Sequence, residues 1–148
     1  MIYVVLMAAV FLADYIIKDR IEKKDPKDVV RTIAGGRIKL QRFHNTGMCM
    51  SIMKGRQKLV MAISLIFTLF VTIYFIVTLT KGGSVLLKTG LALLLGGAYS
   101  NVYDRMKRNY VVDYFSFVVK HKRLKNIVFN ISDFFIAAGA ALMVISSR

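Results

Sequence analysis

Four long apolar stretches, separated by charged segments, dominate the chain. They cover about residues 1–17, 58–80, 84–104 and 126–147. A helix needs roughly 20 residues to cross the hydrocarbon core of a bilayer; the first stretch is slightly shorter and the other three reach this length. Their apolar residues form continuous runs, without the repeat of a helix or strand that faces water on one side. The pattern therefore predicts one membrane domain, residues 1–148, with four transmembrane helices.

Polar side chains gather at particular ends of these stretches. With four spans, the end of the first, the start of the second, the end of the third and the start of the fourth lie on one side of the membrane. Ionisable residues within a membrane are costly to bury and are therefore candidates for function. We expect the polar residues at these ends to converge at one face. They are Asp14, Lys18, Asn101, Asp104, Arg105, Asn130 and Asp133.

Some of these acids have a base nearby, which leaves a purely structural role open. Asp14 and Lys18 are four positions apart, and Asp104 stands beside Arg105. Such pairs serve as ties between helices, or as anchors at the end of a span, at least as well as they serve chemistry.

Asp113 and Asp133 are the acids best placed for chemistry, because neither has a basic residue three or four positions away. Two carboxylates in a partly desolvated site share a proton. In aspartic proteases one carboxylate then takes a proton from water, while the other polarises the peptide carbonyl. Paired carboxylates in a membrane are also typical of proton-coupled transporters, so the residues alone leave both functions open.

The connecting segments predict a small β element. Polar and apolar residues alternate from Arg37 to Gln41, as they do in a half-buried strand. Further along, the apolar run Tyr114–Val119 lies between basic residues and is expected to lie in the membrane interface.

The composition argues against a nucleic-acid-binding protein, although the net charge is +14. The chain is 56% hydrophobic, with a mean hydropathy of +0.55, which fits a membrane protein with cations near anionic headgroups. The single cysteine, Cys49, excludes an internal disulfide and is better interpreted as a small buried residue than as a nucleophile. His44 and His121 belong to no zinc motif, so we expect no metal and no other cofactor.

Four segments carry a family resemblance: VFLADYIIK at 10–18, FHNTGMCMSI at 43–52, GGAYSNVYDRMKRNYVVDYF at 96–115 and FNISDFFIAAGA at 129–140. In this order they resemble the blocks of lipoprotein signal peptidase (signal peptidase II), the membrane aspartic protease of bacteria. The third is similar to the pattern G-G-A-x-G-N-x-x-D-R-x-x-x-G-x-V-V-D-F, and the fourth to F-N-x-A-D-x-x-I-x-x-G. The resemblance extends over nearly the whole chain.

The resemblance implies an endopeptidase that cleaves diacylglyceryl-modified prolipoproteins just before the lipidated cysteine. Its catalytic pair corresponds to Asp113 and Asp133. The implied fold is an all-α membrane protein with an extracytoplasmic β-cradle, about residues 31–55, and a short interfacial helix, about residues 114–120. The residues implied to bind substrate or brace the site are Asn45, Gly47, Gly97, Asn101, Asp104, Arg105, Asn130, Asp14 and Lys18.

The resemblance also implies partners and a location. The partners are lipidated prolipoproteins and membrane lipids, without nucleic acid, and the protein is expected to be a monomer. The location is the inner (cytoplasmic) membrane of a bacterium, with several spans and the active site at the extracytoplasmic face. Of the 22 lysines and arginines, all but Lys81, Lys88 and Arg148 lie on the active-site side, where the positive-inside tendency would favour cytoplasm. We favour the orientation of the family, because its motifs are more specific than this tendency.

Departures from the family pattern indicate a divergent member. Ser100 and Ser132 replace Gly and Ala, and Met50 replaces Phe. Asn109 replaces the Gly of a turn, which we expect to persist because Asn tolerates a positive φ. Two alternatives stay open: a non-catalytic relative that binds lipoproteins, and a small proton-coupled transporter with four spans.

Overall fold

The computed structural model describes residues 1–24, 30–47, 55–119 and 127–147. These residues form a mostly helical protein with one small antiparallel sheet, which confirms the predicted class at this level. The elements in chain order are α1 (Ile2–Lys24), β1 (Arg31–Ile33), β2 (Ile38–Asn45), α2 (Gln57–Lys81), α3 (Val85–Arg108), β3 (Val111–Phe117) and α4 (Ile131–Ser146).

Helix α3 lies at the centre, in contact with each of the other three helices. Within the described residues, α2 and α3 are long and apolar enough to cross a membrane, and α4 is a shorter apolar helix. Most of α3 is buried, whereas α2 is largely exposed along an apolar surface. An apolar helix without a protein partner on most of its surface suits contact with lipid, because lipid tails solvate such side chains.

The core combines large aliphatic side chains with close backbone contacts. Leu91, Ala92 and Leu95 of α3 pack against Phe75 of α2 and are almost fully buried. On another side of α3, Gly90 faces Gly139 of α4 so closely that a Cβ on Gly90 would lie 2.8 Å from the Gly139 carbonyl oxygen. Small residues at such positions let two helices approach each other closely.

The sheet brings a segment after α3 against the segment before α2. Its order is β1-β2-β3, with both pairs antiparallel. The predicted strand at Arg37–Gln41 is confirmed, because β2 begins at Ile38. The predicted interfacial helix around residues 114–120 is wrong, since Val111–Phe117 forms β3 and residue 120 lies outside the described part. β-branched and aromatic residues predominate there and favour a paired strand.

Two helices have ends that differ from the bounds predicted for the spans. α1 continues to Lys24, beyond the predicted end at residue 17. α4 starts at Ile131, later than the predicted residue 126, because Asn130 has an extended backbone and caps the helix. Asn109 ends α3 with φ 64°, so this asparagine does take the left-handed conformation that was expected of it.

Four sequence features lie outside the described residues. They are Cys49, Met50, His121 and most of the second half of the lobe predicted at about 31–55. The described part of that lobe contains β1 and β2, and its third strand comes from β3, which the sequence pattern did not predict.

Candidate active site

The polar ends of the apolar stretches meet in space. Side chains from α1, β2, α3, β3 and the start of α4 form one hydrogen-bonded network between the helices and the sheet. The sequence predicted that these residues converge, and the contacts agree with it; their place at one membrane face stays a prediction. All eleven candidate residues lie in the network or pack directly against it.

Asp113 is a carboxylate held by neutral amides. It lies in β3 opposite Phe43, and because Asn45 pairs with Val111, Asn45 lies diagonally across from Asp113 on the same face. Asn45 Nδ2 donates to Asp113 Oδ2 at 2.9 Å, and Asn130 Nδ2 donates to Oδ1 at 2.7 Å. Burial and then the charge of Asp133 raise the pKa of Asp113 from 3.8 to about 7, although both amides oppose this.

Asp133 lies in the first turn of α4, where a capping box fixes its position. The backbone N–H of Asn130 donates to Asp133 Oδ2 at 3.0 Å, and the backbone N–H of Asp133 donates to Asn130 Oδ1 at 3.1 Å. Asn101 Nδ2 donates to Asp133 Oδ1 at 3.4 Å. Asn130 therefore contacts both aspartates and links them.

Asp113 and Asp133 line the same cavity of about 130 Å³. A water molecule occupies about 30 Å³ in the liquid, so the cavity has room for water beside the carboxylates. The other lining residues are Asn45, Asn101, Arg105, Val111, Ile127, Val128, Phe129 and Asn130.

Lys18 sets the direction of the amide hydrogen bonds. Its ammonium group has no acceptor and donates to Asn101 Oδ1 at 2.7 Å. The oxygen of that amide must therefore face Lys18, which leaves Nδ2 to donate to Asp133. Asn130 Nδ2 also donates to Asn101 Oδ1, at 3.3 Å.

A second carboxylate cluster adjoins the cavity wall, because Lys18 contacts Asn101. We call it the Asp14 cluster: Asp14, Lys18, Ser100, Tyr114 and Ser132. Asp14 Oδ2 accepts from Lys18, Ser100 and Ser132, each at 2.6 Å, and Asp14 Oδ1 accepts from the Tyr114 hydroxyl at 3.2 Å. Asp14 and Lys18 are both completely buried, so the predicted pairing of these two residues is confirmed.

Asp104 pairs differently from the prediction. Its partners are Arg108 Nη1 at 2.6 Å and Lys18 Nζ at 3.4 Å, and it accepts from the Val112 backbone N–H at 3.1 Å. The predicted pairing with Arg105 is wrong, because adjacent residues point in different directions on a helix, whereas residues four apart share a face. Through Val112, Asp104 holds the strand residue next to Asp113.

Arg105 instead faces the cavity. Its guanidinium donates to the backbone carbonyls of Asn101 at 3.3 Å and Gly47 at 3.2 Å. The Gly47 N–H in turn donates to Asn45 Oδ1 at 3.0 Å. Arg105 therefore ties α3 to the end of β2 and leaves positive charge beside Asp113 and Asp133.

Gly97 allows α3 to approach the first turn of α4. A Cβ at this position would lie 2.7 Å from the Ser132 carbonyl oxygen. Any larger residue would push the turn that carries Asp133 away from α3. Gly97 therefore contributes to the site by allowing α3 and α4 to pack closely.

Sequence reasoning missed the hydroxyl groups of the Asp14 cluster. Ser100 and Ser132 stood out only as departures from a pattern, and Tyr114 was assigned to an interfacial segment. His44 also has a partner that was not predicted: its Nε2 lies 3.0 Å from Glu22 Oε2, and its ring stacks on Tyr110. Among the described residues, no group of three or more His, Cys, Asp or Glu side chains could hold a metal ion.

Comparisons with known proteins agree on one family. Residues 6–148 match the sequence model of the family described as "Signal peptidase (SPase) II". The lipoprotein signal peptidase of Caldicellulosiruptor bescii is 34% identical over 143 residues, covering 97% of this chain and 88% of the relative. That of Halothermothrix orenii is 32% identical over 145 residues, covering 98% and 93%.

A solved structure, described as that of a bacterial membrane enzyme, has a similar fold. Its TM-score is 0.83 at 20% identity, covering 98% of this chain and 86% of the other. The family match spans almost the whole sequence, and the two relatives exceed 30% identity along most of their length. The chain therefore belongs to the signal peptidase II family and is a membrane peptidase.

Proposed function

We propose that the protein removes signal peptides from diacylglyceryl-modified prolipoproteins by activating water between Asp113 and Asp133. One observation carries this proposal: the two carboxylates line a single cavity and are linked by Asn130. The names of the relatives, lipoprotein signal peptidases, supply the substrate class.

The chemistry needs one proton on the pair. The carboxylate without the proton removes one from water, and the oxygen of that water attacks the scissile carbonyl. The protonated carboxyl donates a hydrogen bond to the carbonyl oxygen. The carbon–nitrogen bond then breaks, and the proton taken from water passes to the departing amine. Because the pair titrates together, the proton belongs to Asp113 and Asp133 jointly before water is deprotonated.

The surrounding amides hold this arrangement. Asn45 and Asn130 fix the two oxygens of Asp113, and Asn101 orients Asp133. Arg105 carries positive charge at the cavity wall, where it can hold a peptide carbonyl of the substrate or stabilise the developing oxyanion.

An apolar groove next to the cavity suits the lipid part of the substrate. It has a volume of about 320 Å³ and shares Asn101 and Arg105 with the cavity wall. Its other lining residues come from three helices, and most of them are apolar: Ile63, Ser64, Phe67, Thr68, Ala98, Val102 and Ile136. The acyl chains of a diacylglyceryl group would lie there, with the scissile bond at the aspartates.

The membrane arrangement belongs to the same proposal. All four helices cross the inner membrane of a bacterium, the sheet and the aspartates lie at the extracytoplasmic face, and the protein acts as a monomer. In α1, the buried Asp14–Lys18 pair lowers the cost of charge within the membrane, because each charge has a partner.

The experiment is a cleavage assay with the purified protein in detergent. A precursor peptide with a diacylglyceryl-modified cysteine should be cut just before that cysteine, and the same peptide without lipid should be cut far more slowly. Mass spectrometry of both products identifies the bond. Binding of the lipidated peptide without cleavage would contradict the proposal and indicate a non-catalytic binding protein, whereas proton flux across liposomes without cleavage would indicate a transporter.

A further inference from the structure

The Asp14 cluster gathers an unusual number of donors on one carboxylate. Lys18, Ser100, Ser132 and Tyr114 all donate to Asp14. They come from α1, α3, α4 and β3, so one side chain joins four elements. All five residues are buried.

The donors adjoin the residues proposed for catalysis. Tyr114 directly follows Asp113, and Ser132 directly precedes Asp133. The Tyr114 hydroxyl also accepts a hydrogen bond from the backbone N–H of Ile131 at 2.9 Å. Two connections therefore join the strand that carries Asp113 to the helix turn that carries Asp133. The first is the hydrogen bond from Ile131 to Tyr114. The second runs through Asp14, which accepts from both Tyr114 and Ser132.

Ser100 makes the same connection to the amide network. It directly precedes Asn101, which donates to Asp133, and Lys18 contacts both Asn101 and Ser100, at 2.7 and 3.3 Å. Each of the three residues that donate a hydroxyl to Asp14 is thus adjacent in the chain to Asp113, Asp133 or Asn101.

We propose that Asp14 and the hydroxyls of Ser100, Tyr114 and Ser132 form a positioning site that sets the separation of Asp113 and Asp133. This inference rests on the proposed function for its catalytic consequence. A buried carboxylate with its lone pairs filled by short hydrogen bonds tolerates little displacement, because each lost bond leaves a polar group unsatisfied.

Three differences from the family pattern then belong together. The pattern has Gly where this chain has Ser100 and Ala where it has Ser132. It also ends in Asp-Phe, where this chain has Asp113 followed by Tyr114. Each difference adds one hydroxyl group, and all three hydroxyls donate to Asp14.

The test removes the hydroxyls without adding bulk, in Ser100→Gly, Ser132→Ala, Tyr114→Phe and the triple variant. Misplacement of a reacting group by about 1 Å costs about 100-fold, so we expect the triple variant to lose about 100-fold in kcat, and each single variant less. KM for the lipidated peptide should stay unchanged, because the groove is not touched.

The pH profile separates positioning from general stability. If the two carboxylates move apart, their repulsion decreases, and the pH at which activity falls near neutrality should shift downward in the triple variant. The same shift should occur in the pH dependence of thermal stability, a readout that does not require cleavage. If the wild type cuts no lipidated peptide, the proposed function fails, while this stability readout still tests the positioning site.

Two matched controls also remove one hydroxyl group each. Tyr99→Phe removes a hydroxyl that hydrogen-bonds Thr72 at 2.7 Å, and Thr78→Val removes a buried hydroxyl of α2. Both should keep the wild-type kcat and pH profile. One result would overturn the proposal: variants of the Asp14 cluster fold and lose thermal stability, but match these controls in kcat and in the pH midpoints of activity and of thermal stability. If the triple variant does not fold, Ser132→Ala, the mildest change, decides in the same way.

Discussion

Asp14 and Asp113 are both almost completely buried, but their hydrogen-bond donors are of different kinds. Asp14 accepts hydrogen bonds from an ammonium and three hydroxyls. Asp113 accepts from two neutral amides, and its pKa rises to about 7. The first arrangement surrounds a carboxylate with a cation and hydroxyl donors, whereas the second leaves the Asp113 carboxyl able to gain or lose a proton near neutral pH.

Burial alone therefore does not decide what a carboxylate does. A neighbouring cation and hydrogen bonds from hydroxyl groups favour the ionised form of a carboxylate and suit it to a structural role. Neutral donors, desolvation and a second carboxylate favour a shared proton, which is what general acid–base chemistry needs near pH 7. Two donors connect the two kinds of carboxylate: Tyr114 and Ser132 both donate to Asp14. In the chain, Tyr114 directly follows Asp113 and Ser132 directly precedes Asp133.

The largest expected effect is on activity. Asp113→Asn and Asp133→Asn should each lower kcat about 10⁴-fold or more, since neither variant can share a proton. Both should remain folded, because asparagine fills the same space and needs no counter-charge. The check is the initial rate of signal peptide release, with Tyr99→Phe as the folded control; a rate within tenfold of wild type would remove either residue from the chemistry.

The second effect is on stability. Among the described residues, Asp14→Asn leaves the buried Lys18 with only Asp104 as an acidic partner, at 3.4 Å. Removing one partner of a buried ion pair costs about 3–5 kcal/mol. We expect a large drop in Tm for Asp14→Asn, measured in detergent beside Asp113→Asn. Equal Tm values for the two variants would contradict the contrast between these carboxylates.

The third effect depends on pH. The pKa of Asp113 is higher in the folded protein, at about 7, than its ordinary value of 3.8. The folded state therefore holds this proton more tightly, so the stability from Asp113 is fully present below about pH 4 and is lost as the pH rises through 7. The change is at most about 4 kcal/mol. Asp113→Asn should flatten that part of the curve of Tm against pH, and an unchanged slope would refute the assignment to Asp113.

The fourth effect is smaller. Asn45→Ala removes one of the two donors to Asp113 and also the acceptor for the Gly47 N–H. We expect kcat to fall about tenfold, and the pKa of Asp113 to rise further, because a donor that favours the ionised form is lost. The pH at which kcat falls should therefore move upward. A downward shift would mean that Asn45 does not stabilise the charged carboxylate.

The smallest effect concerns a pair with the same spacing as Asp14 and Lys18, but near the end of α1. Asp19 and Lys23 are also four residues apart, at 2.8 Å, and 72% of the Lys23 side chain is exposed. Water and salt screen such pairs, so Lys23→Gln should leave Tm and kcat unchanged. A loss approaching that of Asp14→Asn would show that burial is not what separates the two pairs.

Much of the site could be predicted, because its residues mark the ends of apolar runs. Asp14 with Lys18, Asn101 and the Asn130–Asp133 pair follow from span counting and helical spacing. Asn109 was expected to take a positive φ, which requires only local backbone preferences. These features depend on residues close together in the chain.

The rest depends on contacts between distant residues. Ser132 lies 118 residues from Asp14, Tyr114 lies 100 and Ser100 lies 86. The neighbouring sequence does not distinguish a serine that hydrogen-bonds a distant carboxylate from one that only permits close helix packing. β3 was missed because an apolar run beside basic residues fits an interface helix, until its pairing with β2 supplies the hydrogen bonds.

The central claim is that Asp113 and Asp133 share one proton at neutral pH. Infrared difference spectroscopy of the purified protein, titrated from acid to alkaline pH, detects the carbonyl stretch of protonated carboxyl groups directly. We expect one such band near neutral pH that disappears as the pH rises through about 7. It should be absent near neutral pH from Asp113→Asn, and it should move to lower pH in Asp133→Asn, where the repulsion of the second carboxylate is removed. A band that persists near neutral pH in Asp113→Asn, or one at an unchanged pH in Asp133→Asn, would contradict the claim.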